Sequence, residues 1–204
     1  IHHQQDLFEC GDGDIKTGDN NERDIETEAD LFASTLLMPL DDFRRQVDGQ
    51  PISFDLLGHC ADRYGVSLTA AALRWTEIAP KRAVLVASRD DHMLWAKSNK
   101  AALKSGAYFA TRRNTIELPG DALAHSNNDW AVSQQQTARA QLWFPREPEI
   151  MQLNEMIRVA GQYDYTLTLL LLPEAEWQGA RHDDEEPEED TYDRFIRNGQ
   201  FLVR

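Results

Sequence analysis

Two acidic side chains, Glu26 and Asp30, have a spacing that could serve metal chemistry. They lie four residues apart within an amphipathic pattern, so a helix would place them on one face. Ala29 and Ala33 are small, and a second helix could therefore approach that face closely. Catalytic zinc takes three protein ligands, and carboxylates and histidines are its usual oxygen and nitrogen donors. Solvated surface acids are the other interpretation, and periodicity alone favours it.

The histidines and cysteines do not supply the remaining ligands of such a site. None of the six histidines has the His-Glu-x-x-His spacing that places two histidines on one side of a helix; they are His2, His3, His59, His92, His125 and His182. His2 and His3 are adjacent, and a regular helix would point them about 100° apart. We expect at most weak metal contacts from this pair. His59 is interpreted as a packed or surface histidine, and Cys10 and Cys60, which lack a Cys-x-x-Cys partner, as reduced thiols.

The literal string over residues 26–39 is more specific than its spacing. It reads Glu-x-x-Ala-Asp-x-Phe-Ala-x-x-Leu-Leu-Met-Pro. This string resembles the second signature of the ImmA/IrrE metallopeptidase family, in which Asn usually stands where this chain has Asp30. Two other stretches are similar to the family as well: residues 57–67 together with Arg74, and residues 1–10, which open with Ile-His-His. The resemblance extends over residues 1–80 or so.

The resemblance implies a zinc-dependent endopeptidase. Glu26 matches the family's carboxylate zinc ligand, and Asp30 either orients a ligand histidine or is a plain surface acid. The family's His-Glu-x-x-His helix would lie immediately before Ile1, so we expect no catalytic residue in this chain. We expect zinc in the intact protein, none bound by this chain, and no cleavage by this chain alone. The implied substrate is a regulatory protein, such as a helix-turn-helix repressor.

A second interpretation is a non-catalytic sensor or protein-interaction module on a peptidase-like scaffold. The missing zinc motif motivates it, because a scaffold without that motif could still bind a small ligand or a protein. Aromatic side chains in the second half could line a ligand pocket, although such residues are more typical of a core: Trp95, Tyr108, Phe109, Trp130 and Trp143.

A DNA-binding regulator that uses residues 54–75 is a third interpretation, and the sequence disfavours it. The turn at Gly65 resembles a helix-turn-helix, but we favour a tight turn between two packed helices. The cations that we take as exposed are too few for a DNA-docking face: Arg63, Arg74, Lys81 and Arg82.

The net charge and the hydropathy of the chain limit the classes of partner and the cellular locations that we expect. The formal net charge is −14, whereas binding to nucleic acid usually needs a basic face. The acidic run at residues 183–190 is typical of a solvated linker. The longest apolar run, residues 167–172, is too short to span a bilayer, and no signal peptide opens the chain. We expect a cytoplasmic protein; the sequence leaves its oligomeric state open.

The apolar periodicity predicts an α+β fold. Helices are expected at residues 23–37, 41–47 and, as a pair broken at Gly65, 53–77. The first should bury a stripe formed by Ile25, Ala29, Phe32, Ala33 and Leu36. Strands are expected at residues 83–87, 93–96, 115–118, 135–144, 154–160 and 163–172, the last two as a hairpin about residues 161–162.

This pattern predicts three regions. Residues 1–78 would be the helical remainder of a peptidase domain. Residues 80–178 would form a mainly antiparallel β-rich domain, which resembles, with less specific motifs, the C-terminal regions of some longer family members that can be GAF-like. Residues 179–204 would be an acidic linker followed by a tail that docks onto the body.

Overall fold

Helices come first along the chain and a sheet follows, as the α+β prediction requires. The computed structural model describes residues 20–111, 115–126, 133–160 and 164–175. Four helices precede the sheet: α1 (Asn20–Leu37), α2 (Leu40–Val47), α3 (Phe54–Tyr64) and α4 (Leu68–Ile78). The strands are β1 (Arg82–Arg89), β2 (His92–Ser98), β3 (Gln134–Arg139), β4 (Gln152–Ala160) and β5 (Tyr165–Leu172). Two short helices, α5 (Lys100–Lys104) and α6 (Ala140–Trp143), and a 3-10 turn at Leu123–Ser126 lie between the strands.

The α3–α4 corner follows directly from local sequence. The hydroxyl oxygen of Ser53 accepts a hydrogen bond from the Leu56 amide at 3.1 Å, and Ser67 caps α4 in the same way. Gly65 ends α3 with a φ of 63°, a left-handed conformation that glycine adopts without steric cost. The Val66 amide then donates to the Ala61 carbonyl at 3.0 Å. The predicted break at Gly65 is confirmed.

All strand pairs are antiparallel, and the order across the sheet is β2-β1-β5-β4-β3. The chain places β1 beside β5, so the register brings Leu85 opposite Leu169. On the other side of β5, Met156 of β4 lies opposite the same leucine. The β1–β2 turn has positive φ at Asp90 and Asp91, which suits a tight hairpin because Asp tolerates the left-handed region.

The sheet is covered on both faces. On the first face, α2, α3 and α4 pack against it through one apolar cluster, which includes Phe43, Phe54, Leu57, Trp75, Leu85, Trp95, Met156, Leu167 and Leu169. On the second face, α5, α6 and residues 118–122 contribute to another cluster, which includes Val84, Val86, Trp143, Phe144, Leu153, Leu170 and Leu172. The central strands read as continuous apolar runs because both of their faces are buried. The predicted helical and β-rich regions therefore share a core across the α4–β1 connection.

Two predicted strands are wrong in extent. Of the predicted strand 135–144, only residues 135–139 belong to a strand, which begins at Gln134, and Ala140–Trp143 form α6. Ala140, Trp143 and Phe144 are all buried on the second face; a strand would point Trp143 and Phe144 to opposite faces, whereas a helical turn allows both to point inward. The predicted strand 115–118 is reduced to one bridge between Glu117 and His92. Two backbone hydrogen bonds join this segment to the β1–β2 hairpin: the Met93 amide donates to the Ile116 carbonyl and the Leu118 amide donates to the Asp91 carbonyl, each at 2.8 Å.

The predicted hairpin of β4 and β5 is confirmed by their pairing, and residues 161–163 at its turn lie outside the described residues. The acidic linker and tail, residues 179–204, lie outside them too. Within the part of the chain that the structure describes, no helix is both long and apolar enough to cross a membrane.

Candidate functional site

Helix α1 carries the residues that the sequence singled out for metal chemistry. Glu26 and Asp30 both fall within it, one turn apart, so the helix places them on the same side. Their side chains lie outside those that the structure describes, and so do His2 and His3. The proximity of Glu26 and Asp30 in α1 is therefore fixed by the backbone alone.

The C-terminal half of α1 exposes apolar side chains. Phe32 is 65% exposed and Leu36 is 66% exposed, and Leu31 and Leu37 are also more than half exposed. The prediction that the stripe of Ala29, Phe32, Ala33 and Leu36 is buried is therefore wrong for the described residues; the Ile25 side chain lies outside them. The stripe stays exposed because no described element covers this side of α1. We call Leu31, Phe32, Leu36 and Leu37 the apolar surface of α1.

The end of α1 is held against the body by Met38 and Arg74. The Met38 side chain is buried, and its carbonyl accepts a hydrogen bond from Arg74 Nη2 at 3.2 Å. Arg74 Nη1 contacts Glu77 at 3.2 Å. The sequence-based interpretation of Arg74 as an exposed cation is wrong, because its guanidinium turns inward to this carbonyl and only 6% of the residue is exposed. The hydrogen bond from Arg74 of α4 thus fixes the position of Met38, which belongs to the Leu-Leu-Met-Pro string.

A comparison with protein families matches the part of the chain that contains α1 and Arg74. Residues 1–76 match the family model of the IrrE N-terminal-like domain, Peptidase_M78. The ImmA/IrrE resemblance is confirmed over these residues. The IrrE-like segment ends within α4, so α1 and Arg74 lie inside it and the sheet lies outside it. No curated protein matches the chain.

The donors of the IrrE-like segment do not by themselves fit a catalytic zinc ion. Such a site needs three protein ligands, and no His-Glu-x-x-His occurs in the sequence. Among the residues that the structure describes, no group of three or more His, Cys, Asp or Glu side chains could hold a metal ion. His59 is exposed on α3, and its neighbour Cys60 is a buried free thiol whose pKa is raised by burial. Glu26 alone cannot bind a catalytic metal.

The cations near the α3–α4 corner are occupied by internal partners. Arg63 contacts Asp42 at 3.1 Å, and the Tyr64 hydroxyl donates to the same carboxylate at 2.8 Å. The hydrogen bonds from Tyr64 and then from Arg63 lower the pKa of Asp42. Arg82, like Arg74, is buried rather than exposed, at 3%; its partners lie at four places along the chain. Of the four cations that were predicted to be exposed, Arg63 and Lys81 are exposed, whereas Arg74 and Arg82 are buried.

A second polar constellation, which the sequence did not single out, lies on the second face of the sheet. An open depression of about 350 Å³ is lined by Gly120, Asp121, Ala122, Leu123, His125 and Gln136. Beside it, Glu155 of β4 is completely buried and accepts hydrogen bonds from the Leu123 amide and from Gln136 Nε2, each at 2.8 Å. The sequence signal that could have identified this site is Glu155 itself, a lone acid two residues from Leu153 and from Ile157 and therefore on the same buried face of a strand.

The aromatic side chains of this half mostly belong to the core. Trp95 and Trp143 are almost fully buried on opposite faces of the sheet. Phe109 packs against Trp143 and Phe144, with ring centroids 6.1 and 5.0 Å apart. Tyr108 is 48% exposed, and Trp130 lies outside the described residues.

Proposed function

We propose that this chain is part of a zinc-dependent metallo-endopeptidase of the ImmA/IrrE type, to which it contributes the carboxylate ligand Glu26. The apolar surface of α1 is the observation that carries the proposal. Phe32 and Leu36 are about two-thirds exposed on the helix that bears the family signature, and contiguous apolar surface of this kind marks an interaction site. A helix that carries His-Glu-x-x-His, supplied upstream in the native protein, is the partner that we propose for it.

The proposal divides the work between two segments. Glu26 would be one of three zinc ligands, and the upstream helix would supply two histidines and the glutamate that acts as base. Asp30 would orient a ligand histidine, or remain a surface acid. This chain alone would bind no catalytic zinc and cleave nothing. In the intact protein the substrate would be a cytoplasmic regulatory protein, such as a helix-turn-helix repressor.

Zinc content tests this proposal directly. The native gene would be read upstream of Ile1, and the extended protein would be compared with the 204-residue chain for bound zinc and for cleavage of candidate repressors. We expect one zinc per extended chain, none in the shorter one, and loss of zinc in Glu26→Gln. Glu28→Gln is the matched control, because Glu28 is exposed on the same helix but two residues away, which turns it to another face.

Two results would reject the peptidase proposal. One is a native reading frame without His-Glu-x-x-His before Ile1. The other is an extended protein whose zinc content is the same in Glu26→Gln as in Glu28→Gln.

A second candidate function is favoured by the depression beside Glu155. Under this proposal the β-rich part is a GAF-like sensor module that binds a small ligand, and the IrrE-like segment is its scaffold. The open depression of about 350 Å³ carries a few placed polar groups, which are the features that would orient a small ligand. A broad screen for ligands that raise the melting temperature tests it. A screen without any hit that is lost on mutation of Gln136 would count against this function.

A further inference from the structure

Among the described residues, the buried carboxylate of Glu155 has no cationic partner. The residue has no exposed surface, and no Lys, Arg or His among the described residues forms an ion pair with it; the two hydrogen bonds come from the Leu123 amide and the Gln136 side chain. Burial of an ionised carboxylate is costly unless it is paired or hydrogen-bonded. Two N–H donors offset part of that cost, and the side chain lies next to the depression.

The carboxylate of Glu155 fixes which way the Gln136 amide points. The two residues lie directly opposite each other on β3 and β4. An ionised carboxylate only accepts hydrogen bonds, so Gln136 must turn its NH₂ group toward Glu155, at 2.8 Å. Its carbonyl oxygen is then directed away from Glu155. Since Gln136 lines the depression, the wall presents an acceptor there.

His125 of the lining is paired with Asp91, with its Nδ1 2.9 Å from a carboxylate oxygen. One other side chain of the lining presents acceptors. Asp121 contributes an exposed carboxylate. Among the described residues, Gln136, His125 and Asp121 are the polar side chains that line the depression. A ligand that donates hydrogen bonds would therefore complement Gln136 and Asp121.

We propose that this depression binds a small organic cation whose N–H groups form its charged end, such as an amidinium or guanidinium group. Gln136 and Asp121 contact the ligand, and Glu155 is a positioning residue that acts through Gln136. The carboxylates of Asp121, Asp91 and Glu155 favour a positive charge over a neutral or negative one. This inference rests on the second candidate function and names its ligand class.

Three isosteric probes test the ligand class on the full chain: benzamidine, neutral benzamide and anionic benzoate. Titrations followed by NMR should show benzamidine binding about tenfold or more tightly than benzamide, because hydrogen bonds to a charged group are stronger than neutral ones. Benzoate should bind most weakly. If benzamide or benzoate binds as well as benzamidine, the cation inference is overturned while ligand binding itself stands. If none of the three binds, the inference is overturned too, and the broad screen decides separately on the sensor function.

Matched variants test the residues. Gln136→Leu and Asp121→Asn should each weaken benzamidine binding about tenfold, whereas Gln135→Leu should change it less than about twofold, because Gln135 is exposed and lies on the opposite side of β3. Equal effects of Gln136→Leu and Gln135→Leu would overturn the inference.

Glu155→Gln tests the positioning role. The new amide both donates and accepts, so it no longer dictates the orientation of Gln136. We expect the preference for benzamidine over benzamide to shrink to about twofold or less, a ratio that a purely structural role would not move. Should Glu155→Gln fail to fold, the exposed Asp121→Asn still decides: an unchanged benzamidine affinity in that variant overturns the inference.

Discussion

At the residue scale, the Asp42 carboxylate ties α2 to α3 in a pH-dependent way. Hydrogen bonds from Tyr64 and Arg63 lower its pKa below the ordinary value of 3.8. A lowered pKa in the folded state means that the stabilisation is fully present above the unfolded-state pKa, about 3.9, and is lost as the pH falls through the folded-state value. The melting-temperature difference between the wild type and Asp42→Asn should therefore be larger at pH 7 than at about pH 2.5.

Asp41→Asn is the control for this experiment. Asp41 is exposed and lies 3.8 Å from Arg44 within the same helix, so its substitution should change the melting temperature little at either pH. A difference between the wild type and Asp42→Asn that stays constant across the two pH values would contradict the prediction.

The sequence predicts a role only for residues whose role depends on their neighbours in the chain. Glu26 stands in a literal family string, and Ser53 and Ser67 are caps defined by the next three residues. Gln136 and Glu155 were missed, because their meaning depends on a cross-strand register. Arg74 and Arg82 were wrongly placed on the surface, since their acceptors, such as the carbonyls of Met38 and Pro173, are 36 and 91 residues away in the chain.

At the scale of elements, α3 offers two glycines with opposite expectations. Gly65 ends the helix with a φ of 63°, so Gly65→Ala should lower the free energy of unfolding by about 1 kcal/mol. Gly58 lies inside the helix, and a Cβ there would meet no atom within 4 Å. Gly58→Ala should therefore raise the free energy of unfolding by about 0.5–1 kcal/mol. Urea denaturation of both variants measures the contrast, and effects of the same sign would contradict it.

Helix α1 differs from α2–α4 in how much its aromatic and aliphatic side chains contribute to stability. Phe32 is 65% exposed and Phe43 of α2 is completely buried. Phe43→Ala should cost about 3–5 kcal/mol through the cavity that it leaves, whereas Phe32→Ala should stay within about 0.5 kcal/mol. Chemical denaturation of the two variants tests this, and a large loss in Phe32→Ala would show that another segment covers α1 in solution.

Element types were predictable where one periodicity dominated. The predicted strand over residues 163–172 is observed as β5, and its Leu167 and Leu169 lie on the face that α2–α4 cover. The same reasoning failed at Ala140–Trp143, where consecutive large side chains need one common direction and a turn of helix supplies it. It also failed to show that α1 leaves its stripe exposed, because periodicity identifies an apolar face and not the element that covers it.

At the scale of the whole molecule, Arg82 joins distant parts of the chain in one buried cluster. Its guanidinium donates to Ser105, to Glu147 through both terminal nitrogens, and to the Pro173 carbonyl. Arg82→Met would leave the largely buried Glu147 without its cation, and we expect a loss of about 3–5 kcal/mol. The neighbouring exposed Lys81→Met should stay within about 0.5 kcal/mol. Thermal unfolding of both variants provides the comparison.

The double variant Arg82→Met/Glu147→Leu separates the pair from its surroundings. Removal of both charges should recover part of the loss, because no unpaired buried carboxylate remains. A double variant that is as unstable as Arg82→Met alone would assign the effect to Ser105 and Pro173 instead of to the ion pair.

Because the helices and β5 share one core, the helices cannot complete their packing until β5 has been synthesised. Leu57 and Trp75 pack in the same cluster as Leu167 and Leu169, which a ribosome adds about ninety residues after Trp75. At roughly 5–20 residues per second, α3 and α4 lack their contacts with β5 for several seconds of every synthesis. A chain stalled before β5 is therefore the form that we expect chaperones to bind.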